Sequence, residues 1–324
     1  MRVRGAFVQS LRSVALAGAM AVAVGLSFGT TGCNKAAVDA QKLAKHAQTI
    51  SGESPKDAIE EYKQASQLDP TNVKILQSLA TLYEKQKDWQ NAADTWQKAA
   101  SIAEDHANFY FRKGYDLYEL ARKDAARQGF DKAIEPLKKA SAKDANLSDA
   151  QYYLGKCLYE TDDEQGALEA YTKAIETRGD QLAYYVDLAN LYLDLGYAEF
   201  GLKAAEEGQK QVPNVKVKDD NEKAEAATAL YNLILNEARA YEQLGKADDK
   251  IKALEKGRQV PNPKNAAREV EYQLAIAHND RGNAQDACQA LTNYLKSPAG
   301  KSPEAIENRK DADTKKFQWK CPGS

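Results

Sequence analysis

The sequence predicts an all-α fold built as an α-solenoid: about six to seven helical hairpins stacked as a superhelix, closed by a C-terminal capping segment. Three observations carry this. Two segments are near-copies: Tyr192 to Gly196 leads to Gly208, and Tyr241 to Gly245 leads with the same internal spacing to Gly257; each then ends at a proline, Pro213 and Pro261. A looser copy places Gly155 where the next one has Ala189, an offset of 34 residues, and such a period belongs to stacked hairpins rather than one globular core. The punctuation agrees. A residue before proline is pushed out of the α region, so Asp69-Pro70, Val212-Pro213 and Val260-Pro261 read as helix stops, and Gly196, Gly245 and Gly282 suit tight turns between paired helices.

The elements follow in order. Residues 1–32 carry Arg2, Arg4 and Arg12, no acid, and an uncharged run from Val14 to Phe28. They read as a secretory signal peptide. The run of about 15 residues is shorter than the roughly 20 that span a bilayer as a helix. The small residues Gly29, Thr30, Thr31 and Gly32 before Cys33 resemble a bacterial lipobox, in which the cysteine is lipidated and becomes the first mature residue. Thr30 departs from the Leu usual three places before the cysteine. The resemblance implies a lipid anchor at Cys33; ordinary cleavage to a soluble periplasmic protein is the other reading. Asn34, where an inner-membrane retention signal would have Asp, points to the outer membrane. Residues 33–50 read as a tether or a degenerate first helix.

The array spans residues 51–301. Its clearest unit starts at Ser148 and has Leu154, Gly155, Leu158, Ala167, Tyr171 and Ala174 at positions 7, 8, 11, 20, 24 and 27. This pattern resembles the tetratricopeptide repeat. Positions 8, 20 and 27 take small residues because two helices cross closely there, and positions 4, 11 and 24 fill the surrounding space with large apolar groups. The frame gives a partial first unit (Ala58, Tyr62, Ala65, Pro70) and a second with Leu76, Ala80, Tyr83, Ala92, Trp96 and Ala99. The third has Gly114, Ala133, Leu137 and Ala140, with seven extra residues around 123–129, enough for each helix to gain about one turn. The fifth has Leu188, Ala189, Tyr192 and Gly201. The sixth follows a polar insert, residues 216–223, and has Ile234, Ala238 and Leu254, with Lys250 where a small residue is expected. The seventh has Leu274, Ala275, Ala287 and Leu291, with His278 replacing an aromatic. Residues 302–324 are mostly polar and read as the cap that covers an array's exposed apolar end.

The chemistry of catalysis is not visible. The formal net charge of −2 excludes the basic balance of a nucleic-acid binder. The three histidines, His46, His106 and His278, stand apart from cysteines and acids at metal-ligand spacing. No phosphate loop, nucleophile elbow or HExxH motif occurs. The reading is of a non-enzyme with no cofactor, no metal and no small-molecule substrate. Cys157 reads as a small buried hydrophobe. Cys288 and Cys321 are candidates for a disulfide that pins the cap, since an exported chain tolerates one.

In the resembling family, extended peptides lie in the concave groove through positions 2, 5, 9, 12 and 13 of the first helices. Carried over, the groove residues are Phe111, Tyr115 and Tyr118 in the third unit; Tyr152, Lys156 and Tyr159 in the fourth; Asn190 in the fifth; and Arg239 in the sixth. Exposed aromatics with a polar end are common interface anchors, and the same tyrosines also suit packing between units; both readings stand at this point. The paired Lys and Asn of a carboxylate clamp do not occur within one unit. The expectation is a scaffold of the bacterial cell envelope that binds a peptide or helix of another envelope protein, held to the membrane by the N-terminal lipid. One alternative is a pilotin-like assembly factor for an outer-membrane secretin or pilus complex. Another is a cell-wall-associated accessory protein.

Overall fold

The structure, a computed structural model, describes residues 30–125, 127–261, 267–297 and 303–322. The signal segment therefore lies outside the described residues, as does the side chain of Cys33. Among the described residues there are fifteen α-helices and no strand. They form seven successive hairpins. These are α1 (Thr30–Ile50) with α2 (Pro55–Leu68), α3 (Val73–Lys85) with α4 (Trp89–Ile102), and α5 (Ala107–Asp124) with α6 (Arg127–Lys143). Next come α7 (Ser148–Glu160) with α8 (Glu164–Thr177), and α9 (Leu182–Asp194) with α10 (Ala198–Lys210). The last two are α11 (Asp220–Gln243) with α12 (Ala247–Arg258) and α13 (Ala267–Asp280) with α14 (Ala284–Lys296), followed by a single helix, α15 (Pro303–Gln318).

The stops and starts have local causes. Helix α2 ends one residue before Asp69-Pro70, and α12 ends before Val260-Pro261. Gly196, Gly245 and Gly282 take φ of +78°, +69° and +75° in the turns of the last three hairpins, a region open to glycine without a Cβ penalty. The Asp163 carboxylate caps α8 by accepting from the Gly166 amide at 2.9 Å.

Small residues sit where the frame requires them. Ala65, Ala92, Ala99, Ala133, Ala140, Ala167 and Ala174 are completely buried. A Cβ on Gly155 would stand 2.7 Å from the Tyr171 ring, so α7 and α8 approach too closely for any larger residue. Lys250, at a small-residue position, is 8% exposed, and its ammonium donates to Glu242 at 2.6 Å. Position 10 of the first helices is buried throughout: Leu82, Cys157, Leu191 and Ala240 occupy it in four units. The third unit has Asp116 there, fully buried, with neither carboxylate oxygen hydrogen-bonded.

The insertions lengthen helices. Helices α5 and α6 have 18 and 17 residues against 13 and 14 in α7 and α8, and the turn between them places Ala125 at φ +48°. The insert before the sixth unit is half helix. The Asp219 carboxylate accepts from the amides of Asn221 and Glu222, both at 2.9 Å, and starts α11, which runs 24 residues.

Both ends of the array are covered. Helix α1 buries Ala40 and Ala47 in a cluster with Tyr62, Ile75 and Leu79, so it is the first helix of the first hairpin. Helix α15 closes the other end. Cys288 and Cys321 are joined as a disulfide with Cα atoms 5.3 Å apart. The Arg309 guanidinium donates to the carbonyls of Leu295 at 2.6 Å and Ser297 at 3.1 Å, at the end of α14 where helix carbonyls lack intrahelical partners.

Candidate partner-binding groove

The first helices α5, α7, α9 and α11 lie side by side, and their spacing sets the groove. On α7, Tyr152, Lys156 and Tyr159 are four and three residues apart and share one face. Asp187, Asn190 and Asp194 do the same on α9. The faces meet through hydrogen bonds. The Tyr152 hydroxyl donates to Asp187 at 2.7 Å, and the Lys156 ammonium donates to the same oxygen at 2.9 Å. The Tyr159 hydroxyl donates to Asp194 at 2.6 Å, and Arg239 of α11 donates to the other oxygen of that carboxylate at 2.6 Å. Nearer the helix starts, the Tyr184 hydroxyl donates to Asp149 at 2.6 Å. These three tyrosine–aspartate pairs are each 35 residues apart, one period plus one.

The electrostatics follow from this lattice. The Lys156 ammonium lies 5.3 Å from the Tyr152 ring centre and 5.8 Å from that of Tyr118. Burial pulls its pKa down, but Asp187 and the Tyr118 hydroxyl outweigh that, and the net shift is upward. Burial and then Asp187 push the Tyr152 phenol well above its ordinary range. The bond to Asp194, ahead of burial, holds the Tyr159 phenol up at about 12. With these upward shifts Lys156 stays protonated and the Tyr152 and Tyr159 phenols stay neutral at neutral pH.

The aromatic residues form one connected cluster. Tyr115 and Tyr153 meet edge to face at 4.9 Å, Tyr118 and Tyr153 at 5.3 Å, and Tyr152 and Tyr153 at 5.2 Å. Phe111 lies 6.3 Å from Tyr115 and Tyr184 lies 4.6 Å from Tyr152. Tyr118 corrects the sequence expectation. It is 7% exposed, with its ring 5.6 Å from Phe130 on the lengthened α6, and so is a packing residue rather than a groove residue. Phe111, Tyr115 and Tyr152 are half-buried, and Tyr159 is 38% exposed. Asn190 and Arg239 are partly exposed beside Tyr159 and Asp194. The structure thus brings Tyr152, Lys156, Tyr159, Asn190 and Arg239 together, with Phe111 and Tyr115 one helix away. Tyr153, Asp187 and Asp194 complete the arrangement; the spacing of 35 between Tyr and Asp is the sequence signal that marks the two aspartates.

Three clefts lie along these helices. One of about 260 Å³ between α7 and α9 is lined by Lys156, Tyr159, Asp187 and Asn190. It shares Tyr159, Glu160, Leu191 and Asp194 with a second of about 580 Å³, which reaches Arg122, Phe130 and Glu164. A third, about 500 Å³, lies between α9 and α11, lined by Ala183, Val186, Asp187, Thr228 and Asn232. Among the described residues no group of His, Cys, Asp and Glu is arranged to hold a metal ion, and no helix is long and apolar enough to cross a membrane. The free Cys157 is buried, and burial pushes its thiol up to about 12.

Comparison with known proteins agrees with this architecture. The family model described as tetratricopeptide repeat matches residues 149–178, which are α7 and α8 with their turn. Lipopolysaccharide assembly protein B of Escherichia coli K12 is 27% identical over 146 residues, which is 43% of this chain and 37% of that protein. The chain therefore spans little more than a third of the curated relatives it matches. Among solved structures, a tetratricopeptide repeat protein of Parabacteroides merdae superposes with a TM-score of 0.55 at 15% identity, over 85% of this chain and 99% of the other. PilW, a type IV pilus biogenesis factor, gives 0.51 at 15% identity, over 71% of this chain and 97% of the other. Likeness at this identity speaks for the fold alone.

Proposed function

We propose that this chain, a tetratricopeptide repeat protein, is a non-catalytic interaction scaffold that holds a segment of a partner protein in the groove of α5, α7, α9 and α11. The observation that carries the reading is the run of clefts across these helices, lined by partly exposed aromatic and polar side chains already fixed in place by Asp187 and Asp194. Fixed side chains lose little conformational entropy on binding, which is what an interface needs from a rigid surface. The chain works in the bacterial cell envelope. The sequence of residues 1–32 and the relative named for lipopolysaccharide assembly both support that location, with Cys33 as the lipid anchor. Labelling with a palmitate analogue tests the anchor: Cys33→Ser should abolish incorporation.

Photo-crosslinking in cells tests the groove. A photoreactive residue at Asn190 or Phe111 should capture the same discrete partner, and one at Lys173 on the outer helix α8 should not. Tyr159→Ala should weaken that capture while the helical circular dichroism is unchanged. Identical products from Lys173 and Asn190 would overturn the assignment of the surface.

A further inference from the structure

The two clefts that meet at the C-terminal ends of α7 and α9 have an apolar floor and an acidic rim. Phe130, Tyr159, Leu191 and Leu195 supply the floor. Glu160, Asp162, Glu164, Asp187 and Asp194 line the rim, against Arg122 and Lys156. Both cations are already engaged within the protein, Lys156 by Asp187 at 2.9 Å and Arg122 by Glu119 at 2.6 Å. Asp194 has its own cation in Arg239. The side chains of Glu160 and Glu164, by contrast, are exposed and make no hydrogen bond or ion pair with the described residues.

We propose that this junction docks a partner segment that presents Lys or Arg side chains beside an apolar one. This deepens the groove reading and rests on it. An acidic occupant would add like charge to a rim with surplus carboxylates, so the rim selects against it as well as for a base. A Lys or Arg stem packs along apolar and aromatic surface while its charged head stays at the rim, and the floor beside Tyr159 offers that surface. Glu160 and Glu164 meet the incoming head groups. Tyr159 is held in place by Asp194 and contributes ring surface rather than charge.

The test uses the purified full-length protein and two labelled dodecapeptides, one alternating Lys and Leu and its twin with Glu for Lys. Fluorescence anisotropy should show the Lys peptide binding at least about tenfold tighter than its twin, with the preference shrinking at high salt as exposed charges are screened. The double variant Glu160→Gln/Glu164→Gln should weaken the Lys peptide at least about fivefold, because two exposed carboxylates are removed without breaking a bond to any described residue. The control Glu199→Gln/Glu206→Gln, on exposed positions of α10, should change it less than about twofold. Equal affinity for both peptides, or equal loss in the control, overturns the proposal. A photoreactive group at Asn190 separates the two levels of the argument. If both peptides bind and both crosslink there, the charge preference fails and the groove stands. If the Lys peptide binds but crosslinks only elsewhere, the groove reading fails too. Self-association abolished by the Gln pair would assign the cleft to a second copy of this chain and also overturn the partner proposal.

Discussion

Replacing Asp116 with Leu is expected to stabilise the third hairpin, increasingly so as pH rises. The carboxyl is fully buried and neither oxygen has a hydrogen-bond partner. Arg112, one turn away, is engaged by Glu84 through its Nε at 2.9 Å. Burial pushes the Asp116 carboxyl up to about 8, against the pull of Arg112 and with Glu119 adding to the rise. Its unfolded value is the ordinary 3.8, so between these two pH values the folded chain holds a proton that the unfolded chain has lost. Stability from this group is therefore fully present below about pH 4 and falls by up to about 1.4 kcal/mol per pH unit until about pH 8. The upper bound on the total is near 6 kcal/mol, and local opening that lets water reach the carboxylate lowers it. Leu removes the orphaned group, worth about 1–3 kcal/mol, and supplies the residue found at the equivalent Leu82 and Leu191. Urea denaturation of wild type and variant from pH 5 to 8.5 isolates the effect, because other groups cancel in the difference. The gap should widen with pH, and Asp116→Asn should flatten the slope while retaining the buried polar cost. A gap that is constant with pH, or an Asp116→Leu variant less stable than wild type, would refute the reasoning.

Reducing the Cys288–Cys321 disulfide closes no other bond in exchange. Its 33-residue separation corresponds to about 3–4 kcal/mol in the loop-entropy picture, and hydrogen exchange should show the loss in α13 to α15 with the first hairpins unchanged. Cys157, buried with a thiol near 12, should resist iodoacetamide in the native protein and react once urea unfolds it. Gly155→Ala should cost about 1–3 kcal/mol, because the new Cβ meets the Tyr171 ring at 2.7 Å; melting-point shifts compared with a surface Ala substitution on α8 measure it.

The array is legible in the sequence because its core is written in residue size. Ala92, Ala133, Gly155 and Ala167 are buried at helix crossings, and at Gly155 even a Cβ would meet the neighbouring ring; Lys250, at a crossing position of the sixth unit, is the departure. The seven extra residues of the third unit are legible for the same reason: two helical turns preserve the buried face, and α5 and α6 absorb them. The insert before the sixth unit is less so. By length it reads as a polar loop, and only the Asp219 cap makes its second half part of α11.

The groove is harder to read because side chains there answer to the neighbouring unit rather than their own. A frame with a 34-residue period assigns groove positions within each helix, which locates Tyr152, Lys156, Tyr159, Asn190 and Arg239. The bonds that organise them join residues 35 apart, so Asp187 falls one place off the frame although it holds both Tyr152 and Lys156. Tyr118 fails for a related reason. It stands at a groove position by count, but Phe130, just past the inserted residues, packs on its ring and leaves it 7% exposed. Regular positions thus report the fold, and departures from the regular spacing report where the surface has been shaped. The rim of Glu160, Asp162 and Glu164 lies at the fourth unit's turn, beside the lengthened hairpin of the third, where the groove departs from the regular units.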